Sequence, residues 1–236
     1  MNEAVQVMQN IYLSYQTRRN GGILRGGEQW ELLMEGWEVE NAVCYILSVK
    51  EIPQAYMVYS IEGTVMRIHE MIYTGEEAKR ECLDFIYGHR SHIVKAEWAA
   101  ENGDTTFCYL NPGRSVCTLQ PFLMARVVDV IQAWREFAVL TMKEPVTIRI
   151  EDELLEWNND VFRLWETDGK KESQRLGEEA QWDYRMGIES FTQLLLGASS
   201  FEELLTRGAI VCGRELEAEP LKNLFPKWNN DIQEYY

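Results

Sequence analysis

Apolar positions recur every three to four residues at the start of the chain. Val5, Met8, Tyr12 and Tyr15 fall on one face and predict a helix over residues 4–18, which Asn20-Gly21-Gly22 ends. Trp30, Leu33, Met34 and Trp37 mark a second, short helix. The period then drops to two. Residues 42–49, 54–61 and 64–73 are rich in β-branched and aromatic side chains. Pro53 and Glu62-Gly63 separate them, which predicts three adjacent antiparallel strands. Gly75-Glu76-Glu77 opens a further helix with Ala78, Cys82, Phe85 and Ile86 on its apolar face, and its two glutamates suit the positive end of the helix dipole. HIVKAEWAAE reads as a strand, and Asn102-Gly103 as a hairpin turn from which TTFCYL pairs back.

Asn111-Pro112-Gly113 is the strongest break in the chain and separates two units of ordinary domain size, 1–117 and 118–236. Beyond it PFLMARVVDV predicts an apolar strand, followed by a helix from Val130 to about Leu140. Val146, Ile148 and Ile150 alternate with Thr147, Arg149 and Glu151, the pattern of a strand with one wet face. NDVFRLWE and WDYRMGI read as strands, with an Asp168-Gly169 turn after the first. FTQLLLG ends a helix at Gly197, and Ser199 with Glu202 has the spacing of a capping box. The expected fold class is α+β: a mixed or antiparallel sheet with helices, then a second α+β domain.

Composition adds bounds. The chain is 46% apolar with eight Trp, which suffices for a buried core, and its formal charge is −15. Acidic residues exceed basic ones in both halves, so no basic stripe is available for a nucleic-acid backbone. Five dispersed cysteines without a CxxC pair suit a reduced, cytoplasmic protein. No apolar run has the length of a membrane span, and MNEAVQVMQN has no signal-peptide pattern.

Candidate chemistry is sparse. No G-x-S-x-G elbow, phosphate loop or dinucleotide fingerprint is present. His89 and His92 lie three residues apart without a third metal-ligating residue at a supporting spacing, and His69 falls on a strand face beside Arg67. The acidic runs at 151–156, 177–179 and 215–219 read as solvated surface. The chain's last residues stand out instead. Leu224, Phe225, Trp228, Ile232, Tyr235 and Tyr236 carry apolar surface to the C-terminus, where most chains fray into polar tails.

RNGGILR followed by Trp30, the stretch PFLMARVVDV, and the ending LLLGASSFEELL…PLKNLFPKWNNDIQEYY together resemble the enhanced-intracellular-survival family of bacterial GNAT acetyltransferases. That resemblance implies that residues 1–117 are the family's second, degenerate GNAT-like domain and that 118–236 are a domain like sterol carrier protein type 2. It implies an N-acetyltransferase that moves acetyl from acetyl-CoA to a primary amine, either a small molecule or a lysine. It further implies a homo-oligomer in which the α-carboxylate of Tyr236 is the general base, with the Tyr235 or Tyr236 ring as anchor.

The family's cofactor signature, [Q/R]-x-x-G-x-[G/A], has its equivalent at EMIYTGEEAKREC, where only Gly75 survives and two glutamates occupy the phosphate position. Acetyl-CoA is therefore expected to bind a module outside these residues and not this chain. Relatives of the sterol-carrier fold bind lipid in an apolar tunnel. Phe137, Val139, Leu140, Phe162, Leu164, Trp165, Leu194, Leu195 and Leu196 are the residues that would line one here. This carries the alternative of a stand-alone binding or scaffold protein.

Overall fold

A computed structural model describes residues 3–17, 19–101, 103–110, 114–120, 124–137, 142, 144–213, 221, 224–228 and 230. The chain divides between Tyr109 and Leu110 into two compact units.

The first unit is built on a four-stranded sheet with strand order β1-β2-β3-β4. Helices α1 (Glu3–Gln16) and α2 (Gly27–Val39) precede it, as the periodicity predicts. Strands β1 (Val43–Val49), β2 (Ile52–Glu62) and β3 (Val65–Tyr73) pair antiparallel in sequence order. After α3 (Glu76–Gly88), β4 (Lys95–Trp98) lies parallel to β3. Both faces of the sheet are covered. Met57, Met66 and Ile68 pack with Ala78 and Cys82 of α3 on one side. Tyr56, Val58 and Ile72 pack with Met8, Ile11, Tyr12, Tyr15 and Trp30 on the other.

A bulge interrupts the β2–β3 ladder: Tyr59 faces Ile68, yet Val58 faces Glu70. The extra residue, His69, lets neighbouring polar side chains on β3 serve the same side of the sheet.

Two expectations fail here. No strand returns from the Gly103 turn: TTFCYL forms a 3-10 turn at Thr106–Cys108. Side chains outcompete a ladder in this stretch. The Asp104 carboxylate accepts from the Thr106 amide (2.6 Å) and the Lys79 ammonium (2.9 Å), and Glu101 accepts from Arg19 Nε (2.6 Å). Nor do the described residues 124–129 of PFLMARVVDV form a strand; side chains bond their backbone instead. The Val127 amide donates to Thr192 Oγ1 (3.1 Å), and the Val128 carbonyl accepts from Trp157 Nε1 (2.8 Å).

The second unit carries a five-stranded sheet, order β7-β6-β5-β8-β9. Helix α4 (Val130–Glu136) is shorter than expected and is capped by the Asp129 carboxylate; residues 138–141 lie outside the described residues. Strands β5 (Val146–Glu151), β6 (Asp160–Thr167) and β7 (Lys170–Arg175) form an antiparallel meander, and Asp168 and Gly169 make the β6–β7 turn with positive φ. Strand β8 (Tyr184–Gly187) runs parallel to β5, and β9 (Ile210–Cys212) closes the sheet.

Helices α5 (Ile188–Leu195) and α6 (Phe201–Thr206) complete one core with the sheet. The α6 capping box is one residue later than expected. Ser200 and Glu203 form it, because the Ser199 hydroxyl is engaged with Gln193 (3.0 Å).

Candidate active site

Two places bear on the expected chemistry: the β3–α3 junction, where a GNAT domain grips its cofactor, and the segment leading to the C-terminus. Tyr235 and Tyr236 themselves lie outside the described residues.

At the junction, α3 begins after Gly75, whose backbone is extended, and no side chain caps it. Its first turn presents Glu76 and Glu77, both exposed. Lys79, the nearest lysine, is turned inward and 4% exposed, held by Asp104 and facing the Tyr73 ring at 5.3 Å. A pyrophosphate arriving here meets two carboxylates. The amide donors of a helix start are favourable to an anion only when that charge is not already supplied by side chains. The residues present do not fit acetyl-CoA at this junction.

The C-terminal segment is firmly seated up to its last described residue. Leu221, Leu224 and Phe225 are buried in the core of the second unit, and the Phe225 ring meets Phe191 edge-on at 6.4 Å. Gly197 makes the seat possible. It has φ +65°, and a Cβ there would lie 2.4–2.6 Å from the Trp228 ring, the Pro226 carbonyl and the Trp228 amide. Only glycine tolerates both demands. The Trp228 amide donates to the Gly197 carbonyl (3.0 Å), Asn230 Nδ2 to the Leu196 carbonyl (3.0 Å), and Lys227 Nζ to Glu203 (2.8 Å). The glycine that ends α5 is therefore also the socket of the C-terminal segment.

The remaining candidates scatter. His89 bonds the Phe85 carbonyl through Nδ1 (2.9 Å) and packs against the Phe85 and Tyr59 rings. Among the described residues no group of three His, Cys, Asp or Glu is placed to hold a metal. Of the residues proposed to line a lipid tunnel, Phe162, Leu164, Leu194 and Leu195 are fully buried in the core, and Phe137 packs against it. Trp165 is paired with Glu172 across the β6–β7 ladder, opposite the core face, and Val139 and Leu140 lie outside the described residues.

Pattern reasoning missed a buried polar cluster in the first unit. Arg25, with a side chain 1% exposed, donates to Glu70 (2.5 Å), and the Tyr56 hydroxyl donates to the other Glu70 oxygen (2.8 Å). The guanidinium stands 4.0 Å from the centre of the Tyr12 ring. Burial alone would lower the Arg25 pKa; the charge of Glu70 and its hydrogen bond overcome this and raise it. Burial, reinforced by Glu70, pushes the Tyr56 phenol upward as well. The one sequence signal was a lone acid inside the apolar run MRIHEMIY.

A family model for the acetyltransferase (GNAT) domain matches residues 21–127, and one for the sterol carrier protein domain matches 128–230. The chain thus carries a GNAT acetyltransferase domain followed by a sterol carrier protein domain, the domain order expected from the resemblance to the enhanced-intracellular-survival type. Its GNAT unit and sterol-carrier unit recur in that order in solved structures. A GCN5-related N-acetyltransferase from Anabaena variabilis is 19% identical with a TM-score of 0.77, covering 100% of this chain and 61% of its own. A probable N-acyltransferase from Enterococcus faecalis is 23% identical with a TM-score of 0.80, covering 99% and 59%. Eis1 from Mycobacterium abscessus is 17% identical with a TM-score of 0.68, covering 97% and 59%.

At these identities the likeness is one of fold. The chain spans about three-fifths of the length of those structures. No curated protein sequence matches it. Among the described residues no helix is long and apolar enough to cross a membrane.

Proposed function

We propose that this chain is the two-domain C-terminal part of an N-acetyltransferase that transfers acetyl from acetyl-CoA to a primary amine. In this reading the GNAT unit described here is a degenerate partner domain, and the cofactor is gripped by a further GNAT module. The observation that carries the reading is the pairing of a GNAT-domain match with a β3–α3 junction whose Glu76 and Glu77 repel a pyrophosphate.

The Tyr236 α-carboxylate is the proposed general base. A terminal carboxylate is ionised at neutral pH, and an amine attacks only after losing its proton. The seat formed by Gly197, Phe225, Trp228 and Asn230 supports this role, because it fixes the chain six residues before its end. The net charge of −15 favours a cationic acceptor. A homo-oligomer in the cytoplasm completes the proposal, and light scattering tests the assembly.

Titration calorimetry of this chain with acetyl-CoA should show no binding at micromolar concentrations, and thiol release with primary amines should show no turnover. A polypeptide that also carries an upstream cofactor-binding module should acetylate amines. Deleting Tyr236, or adding one residue after it, should lower kcat there by about 100-fold, the usual value of a general base. Turnover by the present chain alone, or an unchanged rate in both tail variants, overturns the reading.

A further inference from the structure

Three side chains of the first unit, remote in sequence, are aligned as an acyl-transfer relay. Ser60 Oγ lies 2.8 Å from His69 Nε2. His69 Nδ1 lies 2.9 Å from Glu40 Oε2. Each comes from a different element: Ser60 from β2, Glu40 from the C-cap of α2, and His69 from the β3 bulge. The order of atoms is the one nucleophilic catalysis requires. With Nδ1–H donated to the carboxylate, Nε2 carries the lone pair and accepts from the serine hydroxyl. A histidine serving only to fill a gap needs neither bond at a fixed nitrogen, and here both are made.

We propose that Ser60, His69 and Glu40 form a nucleophilic triad that accepts acyl groups from small activated esters. His69 Nε2 takes the Ser60 proton as Oγ bonds to the acyl carbon. The carbon–oxygen bond to the leaving group then breaks, and the proton passes to that oxygen. Water reverses the sequence: it gives its proton to Nε2, its oxygen bonds the acyl carbon, and the acyl–Ser60 bond breaks as the proton returns to Oγ. Glu40 acts through His69 as a positioning residue, holding the ring in this tautomer and stabilising the imidazolium.

The substrate must be small, because Ser60 is only 6% exposed. Access is from the hairpin end, where Ile61 is 42% exposed and Gly63 turns the chain with φ +62°. Strand ends at such turns open most readily. The Glu40 side chain, 57% exposed, marks the solvent side of the relay. This inference stands apart from the acetyl-CoA reading: it needs no cofactor and no other module.

The test uses p-nitrophenyl acetate on the full chain, with release followed optically and the adduct located by peptide mass spectrometry. A burst of one product per chain with the acetyl group on Ser60 is expected. Ser60→Ala should abolish that adduct, while Ser60→Cys should restore it as a thioester. His69→Gln should slow acylation by about 100-fold, as loss of a general base does, and Glu40→Gln by about 10-fold with the melting temperature unchanged. Glu40→Gln removes no buried group, so its effect reads the relay and not folding. Absence of the acetyl group from Ser60, or an acylation rate at Ser60 that is the same in Glu40→Gln and His69→Gln as in the native chain, overturns the proposal.

Discussion

The two sheets solve the same burial problem differently. The sheet of the GNAT unit is covered on both faces, by α1 and α2 on one side and α3 on the other. The sheet of the sterol-carrier unit buries Val146, Ile148 and Ile150 and leaves Thr147, Arg149 and Arg163 on its other face. A sheet covered twice has no wet face on which to place polar groups, so any that it keeps must be paired inside. That is where Arg25–Glu70, Lys79–Asp104 and the Ser60–His69 bond occur. The sterol-carrier unit gathers its buried charge in one loop. There Asp152 accepts from the Leu154 amide (2.9 Å), the Leu155 amide (3.0 Å) and Asn158 Nδ2 (2.9 Å), and pairs with Arg126. Among the described residues, the ion pairs with both side chains buried therefore fall in the unit whose sheet has lost its exposed face.

The comparison breaks most visibly at Glu70. Glu70→Ala removes the carboxylate that offsets the buried charge of Arg25, which should cost about 3–5 kcal/mol in urea unfolding. Arg25→Met with Glu70→Leu should recover most of that loss; if the double variant is as unstable as the single one, the cluster is not an isolated ion pair.

Gly197→Ala comes next. It forces a Cβ into the Pro226–Trp228 backbone at a positive φ, for about 2–4 kcal/mol. In an assembly that acetylates amines it should also lower kcat, because the seat of the C-terminal segment is displaced. A stable Gly197→Ala chain with unaltered Trp228 fluorescence would remove the seat from the argument.

Asp152→Ala should destabilise by about 2–3 kcal/mol, since it strands the Leu154 and Leu155 amides and leaves Asn158 Nδ2 only its bond to the Val128 carbonyl. Its pH signature follows from its environment. Burial opposes the charge of Asp152, but bonds from Asn158, Leu154 and Leu155 and the charge of Arg126 outweigh it and hold its pKa below the usual carboxylate value. A lowered folded pKa contributes stability that is complete above the unfolded value, about pH 4, and is lost as pH falls through the folded one. The variant should therefore show a shallower acid limb in thermal melts below about pH 4.

Smallest is Glu76→Gln with Glu77→Gln. Both side chains are exposed, so stability should change by less than about 0.5 kcal/mol. If this chain then binds acetyl-CoA measurably, the charges alone blocked a working cradle. Continued absence of binding shows that the junction lacks its donors as well.

Periodicity sufficed wherever one face of an element meets one core. It located α1, the β1–β3 meander, α3, β5 and β6, because a helical or alternating apolar stripe is encoded locally. It failed where side chains took over the bonding of the backbone. TTFCYL has the residues of a strand, yet Asp104 folds it into a turn around Lys79; PFLMARVVDV is apolar, yet Thr192 and Trp157 bond its backbone from far along the chain. The capping box moved by one residue for the same reason, because Gln193 claims the Ser199 hydroxyl.

By itself, the sequence determined the α+β class, the acidic balance, the loss of all but Gly75 from the cofactor signature and the family likeness, all of which are read from neighbouring residues or from composition. Tertiary structure alone decided which polar residues act together. Arg25 and Glu70 stand 45 positions apart, and Ser60 meets His69 only because a strand pairing with a one-residue bulge sets them side by side. Hydrogen bonds are made over about 3 Å of space whatever the separation along the chain, so no local pattern can announce them.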